Sequence, residues 1–219
     1  MKRTFLFLLA ALLPLLALPQ GIITRPTKKP TQTTTPAQKP PKKHNVINGH
    51  EYVDLGLSVR WATTNVGASS PSDYGYYFAW GETSTYTEAN SRTRKTSMGD
   101  IAGNAAYDAA RANWGGTWRL PTKAEYEELA NQCTWTWTTQ GGHNGYRVTG
   151  KNGNSIFLPA AGFRYESSLG YVGESGYYWS STPRRNDPEF AEYLSFHSSY
   201  HSVGWFGRVD GQSVRPVSE

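Results

Sequence analysis

After residue 43 the chain carries all 8 of its Trp, all 14 of its Tyr and all of its Phe except Phe5 and Phe7. Glycine is nearly as frequent over the same stretch, and long aliphatic runs are scarce. Such a chain must build its core from rings on short strands and ordered loops. Each large buried side chain then contributes about 1.5–3 kcal/mol. About 175 residues suffice for one domain of ordinary size.

The apolar periods predict short strands separated by turns. Glu51 to Ala62 reads as two strands around Gly56, and Gly75 to Trp80 as another. Tyr107 to Asn113 reads as a short helix ending near Gly115-Gly116. Thr122 followed by Glu125 forms a capping box, which predicts a helix over Lys123 to Cys133 with Ala124, Leu129 and Cys133 turned inward. Thr134 to Thr138 alternates Thr and Trp as a half-buried strand does. Tyr146 to Val148 and Ser155 to Leu158 bracket an Asn152-Gly153 step, a strong hairpin signal. Further strands are expected at Tyr177 to Ser180, Glu192 to His197 and Ser213 to Val217. The expected class is therefore α+β: short antiparallel strands, two short helices and long ordered loops.

The N-terminus predicts export. Lys2 and Arg3 precede an apolar run from Phe5 to Leu18, the layout of a secretory leader over residues 1–21. That run is shorter than the ~20 residues a membrane-spanning helix needs. Residues 22–47 follow as a Thr/Pro/Lys-rich tether, whose stretch from Thr24 to Lys43 has no large apolar side chain and cannot offset its ordering entropy. The folded domain is expected over 48–219.

Residues 1–43 hold 8 of the 22 Lys and Arg and no acid, leaving 14 basic against 17 acidic groups in the rest, a formal −3. The high overall pI thus belongs to the leader and tether. A nucleic-acid-binding domain carries its basic footprint on the fold itself, so nucleic acid is not the expected partner.

Four ordered motifs, WGGTWRLPTKAEYEEL, NSIFLPAAGFR, GYYWSST and SVRPV, resemble the secreted Bacteroidetes-type domain known as the Fibrobacter succinogenes major paralogous domain. That family is similar in turn to the C-type-lectin-like group that includes formylglycine-generating enzymes. The resemblance implies a C-type-lectin-like fold over nearly all of residues 50–217. The enzymes of that group work through a cysteine pair holding copper, and this chain has only Cys133. The calcium loops of true C-type lectins, Glu-Pro-Asn or Gln-Pro-Asp with Trp-Asn-Asp, do not occur. The resemblance therefore points to a binding surface that needs neither copper nor calcium.

Candidate chemistry elsewhere is sparse. Cys133 reads as a small buried hydrophobe. His197 and His201 have the spacing of a metal pair on a helix, but FHSSYHSVGWFG does not read as helix and no third ligand accompanies them. Glu127 and Glu128 read as a solvated helix face, and there is no Gly-x-Ser-x-Gly elbow. No cofactor is expected.

The segment after Thr182 is more informative. Alternation in EYLSFHSS places Leu194 and Phe196 on one side of a strand and Tyr193, Ser195 and His197 on the other. Ser199, Tyr200, His201, Trp205 and Arg208 are expected to join the polar, aromatic side. Tyr and Trp among Ser and Gly suit recognition, pairing rigid amphipathic area with adaptable hydrogen bonding. Retroelement-diversified proteins place a variable segment late in a similar domain, and Thr182 to Gln212 resembles such a segment. The sequence thus predicts an exported, non-catalytic domain that binds a glycan or surface protein. A divergent enzyme of the formylglycine-generating type and a structural envelope component are the alternatives.

Overall fold

The computed structural model describes residues 45–91 and 98–219. The expected leader lies outside the described residues, as does the tether up to His44. The first described residues already pair as a strand: β1 (Asn45–Ile47) joins β2 (His50–Val53). β3 (Arg60–Ala62), β4 (Tyr77–Phe78) and the helices α1 (Glu88–Ser91), α2 (Ala109–Trp114) and α3 (Lys123–Gln132) follow. Next come β5 (Thr134–Gln140), β6 (His143–Thr149), β7 (Ser155–Pro159), β8 (Phe163–Tyr165) and β9 (Ser168–Gly170). The chain ends with β10 (Ser175–Pro183), β11 (Phe190–His197), β12 (Tyr200–Gly207), β13 (Gln212–Ser213) and β14 (Val217–Ser218).

These strands form four small sheets, ordered β1-β2-β3-β14, β12-β11-β10-β13-β4, β5-β6-β7 and β8-β9. The domain is mainly β, which corrects the expected α+β, C-type-lectin-like arrangement with two short helices and long loops. The described residues hold three helices, the longest of 10 residues. The physical reason lies in the aromatic and glycine-rich late segment. Its Tyr, Trp, Phe and Val favour a pleated, half-buried surface, so Tyr200 to Gly207, which is not among the expected strands, forms an eight-residue strand. No helix among the described residues is long and apolar enough to cross a membrane.

The five-stranded sheet lies between two apolar clusters. Tyr178, Leu194 and Phe196 belong to one, with Trp61, Tyr126 of α3 and Tyr146 of β6. Trp179 and Ala191 belong to the other, with Phe78, Trp80, Trp114 and Trp118. Alternate residues of β10 and β11 thus serve opposite faces, as strand geometry requires. Phe196 can lie flat only because Gly176 stands directly opposite it on β10.

The motifs behind the resemblance are joints of this framework. Thr122 Oγ1 accepts from Glu125 N–H and the Glu125 carboxylate accepts from Thr122 N–H, the expected capping box. Glu125 also takes a forked pair of bonds from Arg119 at 2.6 and 2.9 Å. Within α3 the buried residues are Tyr126 and Leu129, whereas Ala124, expected inward, is exposed. The carboxylate of Asp108, at the N-cap of α2, accepts from Gly103, Arg111 and Leu120 N–H, and burial nonetheless pushes it above the usual carboxylate range.

Arg215 of the SVRPV motif is wholly buried. Its guanidinium donates to Asn65 Oδ1 (2.8 Å), Ala62 O (3.0 Å), Thr63 O (2.9 Å) and Phe157 O (3.0 Å). Desolvation pulls its pKa down to about 10, so it remains a cation at neutral pH, solvated by carbonyls in place of water. One side chain thereby ties the strand end at Ala62, the following turn and β7 to the C-terminal segment.

Candidate functional site

The β11–β12 hairpin turns through two residues, Ser198 and Ser199, with His197 opposite Tyr200. Odd-numbered residues of β11 therefore share a face with even-numbered residues of β12. Leu194 and Phe196 are buried, at 0% and 2% exposure, while Tyr193 and Ser195 are half-buried and His197 is exposed. The expected alternation along β11 thus matches the structure. On the face of Tyr193, Ser195 and His197 lie Ser202 and Tyr200 of β12, and Tyr177 and Ser175 of β10. Ser199 sits in the turn, its Oγ 3.4 Å from His197 Nδ1.

Three of the expected site residues lie elsewhere. His201 pairs with Phe196, hence with the core face, and stacks on Trp135 at 4.4 Å with the rings 8° apart. Trp205 lies opposite Glu192, also on that side, against Phe190 and under the Arg184 guanidinium at 3.6 Å. Arg208 is buried, with its guanidinium 4.1 Å above the Trp80 ring and Nε donating to Phe190 O. His197 and His201 therefore face opposite sides of the sheet and form no ligand pair.

The face of Tyr193 is covered at one end and open at the other. Towards Trp179 it is closed by the second apolar cluster. Tyr193 itself bridges to the open part, stacked on Tyr177 at 6.1 Å and packed on Phe206 at 5.4 Å. Tyr177 continues to Phe163 of β8 at 4.9 Å, and Phe163 stacks with Tyr171 at 5.9 Å. Tyr171 is 57% exposed, so this ladder of rings runs from the core into solvent.

Beside the end of the ladder is an open cleft of about 520 Å³ lined by Trp137, Asn144, Tyr171, Glu174, Ser175 and His197, with Gly173 and Ser198. Three separate segments meet there: the β5–β6 hairpin, the 171–175 turn and the β11–β12 turn. Asn144 Nδ2 donates to Gly173 O at 3.1 Å, linking the first two, and Tyr146 Oη donates to His197 O at 3.0 Å, linking the first to the third. These two side-chain-to-backbone hydrogen bonds tie the walls of the cleft together, and aromatic, imidazole, carboxylate and amide groups line it. Such a mixture can stack on a ring and exchange several hydrogen bonds.

Trp137, Asn144, Tyr171 and Glu174 did not stand out in the sequence. Only Trp137 had a signal, the Thr/Trp alternation of β5. Among the described residues no group of three or more His, Cys, Asp or Glu is placed to hold a metal ion. Cys133 is a half-buried free thiol at the C-cap of α3, pushed up in pKa mainly by desolvation.

A family described as "Domain of unknown function (DUF8237)" has a model that matches residues 134–217, the stretch from β5 into β14. That stretch contains every residue of the cleft. No curated protein and no solved structure matches the chain.

Proposed function

We propose that this domain is a non-catalytic binding module that holds a glycan or a surface protein in the cleft at the open end of the five-stranded sheet. The observation that carries the proposal is the ladder of Tyr193, Tyr177, Phe163 and Tyr171, which delivers an exposed ring to a 520 Å³ cleft beside His197 and Glu174. Rigid rings backed by a core lose little entropy on binding, so stacking supplies affinity and the surrounding polar groups supply selectivity. The leader-like residues 1–21 and the polar tether place the domain outside the cytoplasm in this reading. Diversification of Thr182 to Gln212 is compatible with the fold at exposed positions such as His197 and Tyr200, and a near-copy of that coding region beside a reverse transcriptase gene is its expected genomic trace.

The test is a glycan and surface-protein binding array probed with wild type, Tyr171→Ala and His197→Ala. Loss of one specific signal in both variants, with unchanged melting, supports the assignment. Retention of every wild-type signal, or no specific signal from the wild type, overturns it.

A further inference from the structure

A second cleft, of about 370 Å³, lies on the other side of β8 and is lined by Tyr76, Tyr77, Tyr86, Thr85, Gly75 and Arg164. Successive residues of a strand point to opposite sides, so Phe163 serves the ring ladder while Arg164 serves this cleft. The Arg164 guanidinium stands over the Tyr77 ring at 5.5 Å. None of the ion pairs among the described residues uses it.

The walls of this cleft are fixed in advance. Tyr76 is 51% exposed, yet its ring rests on Gly67, where a Cβ would stand 2.3 Å from Tyr76 Cδ2. Tyr86 and Arg164 both pack over Gly211, where a Cβ would stand 2.7 Å from Tyr86 Cδ2 and 3.0 Å from Arg164 Cβ. Arg164 and Gly211 exchange two backbone hydrogen bonds, at 2.7 and 2.8 Å. Tyr77 Oη donates to Ala161 O at 2.6 Å, and Tyr86 N–H donates to Tyr77 O at 2.7 Å. Three tyrosine rings and the Arg164 backbone are thus held around an open space, and no ion pair among the described residues engages the guanidinium.

From this geometry we infer that the Arg164 cleft is a binding site for a sugar ring bearing a carboxylate, such as a uronic acid or sialic acid residue. The guanidinium fork matches a carboxylate in two parallel hydrogen bonds, the strong charge-assisted arrangement. The Tyr76 and Tyr86 faces take the apolar side of the ring and their hydroxyls its hydroxyl groups, while the buried Tyr77, its hydroxyl committed to Ala161 O, backs the guanidinium. The volume falls within the ~300–1,000 Å³ usual for small-ligand sites. This site is separate from the His197 cleft, so either can fail without the other.

The experiment is titration calorimetry of the purified protein with glucuronate-terminated and sialic-acid-terminated oligosaccharides. Each is paired with a neutral counterpart in which the carboxylate is reduced to an alcohol, and inorganic phosphate and sulfate are run alongside. Saturable binding of a carboxylated sugar is expected, at least tenfold weaker for its neutral counterpart, and weakened tenfold or more in Arg164→Met. The site remains intact in His197→Ala. Equal binding of neutral and acidic sugars, unchanged affinity in Arg164→Met, or full displacement by phosphate or sulfate overturns the inference. The comparison of acidic and neutral ligands uses only the wild-type protein, so it stands even where a variant fails to fold.

Discussion

Phe196 lies across Gly176, the residue directly opposite it on the neighbouring strand, so closely that a Cβ at position 176 would stand 2.1 Å from Phe196 Cζ. The ring at that point also meets Tyr146, Tyr178 and Trp135, so it has no room to retreat. Gly176→Ala is expected to cost about 1–3 kcal/mol, the usual penalty for overpacking a core. Gly170 has no atom within 4 Å of such a Cβ, and Gly170→Ala is expected to be close to neutral. Urea unfolding of the two variants measures the difference.

Arg215 is expected to resist conservative exchange. A lysine at 215 keeps the charge but replaces a planar fork with one ammonium, leaving some of Asn65 Oδ1 and the carbonyls of Ala62, Thr63 and Phe157 unpaired in the interior. Each unpaired buried acceptor costs about 1–3 kcal/mol, so Arg215→Lys is expected to lose at least about 2 kcal/mol of unfolding free energy. A melting temperature within a degree or so of wild type would mean that the four bonds do not tie the C-terminal segment to the sheets.

Asp210 provides a pH-dependent test. Burial raises its carboxyl to about 6, and among the described residues its Oδ1 meets no hydrogen-bond donor. The folded state therefore binds this proton more tightly than the unfolded chain, whose Asp titrates near ~3.9. Stability from this group is greatest below about pH 4, falls as pH rises towards 6, and is level above. Asp210→Asn is expected to remove that fall, gaining stability relative to wild type at pH 7 compared with pH 4. Thermal melts of both proteins across that window check the sign.

The local signals of the sequence translated well. The capping box at Thr122 and Glu125 needs only three residues of spacing, and the turn between β6 and β7 needs only an Asn-Gly step, so each was legible without knowing the fold. Thr122→Ala is expected to cost about 1 kcal/mol, measurable by urea denaturation.

What depended on pairing was not legible. Alternation put Tyr193 and His197 on one face, but the parity on β12 is set by the two-residue turn at Ser198-Ser199, which sends His201 and Trp205 to the other side. The Gly and Ser content of Tyr200 to Gly207 hid a strand whose stability comes from its neighbour β11. Tyr126 outcompeted Ala124 for the interior because a ring large enough to reach Trp61, at 5.5 Å, buries far more surface. The cleft residues Trp137, Tyr171 and His197 come from segments tens of positions apart, a convergence that no local pattern records.

The most direct test of the account is the affinity of Tyr171→Ala for whichever array ligand the wild type captures. Tyr171 is exposed at the end of the ring ladder, so its removal leaves the core intact. At least a tenfold rise in Kd is expected, with an unchanged melting temperature. An unaltered Kd would contradict it, because the ligand would then be bound away from the open end of the sheet.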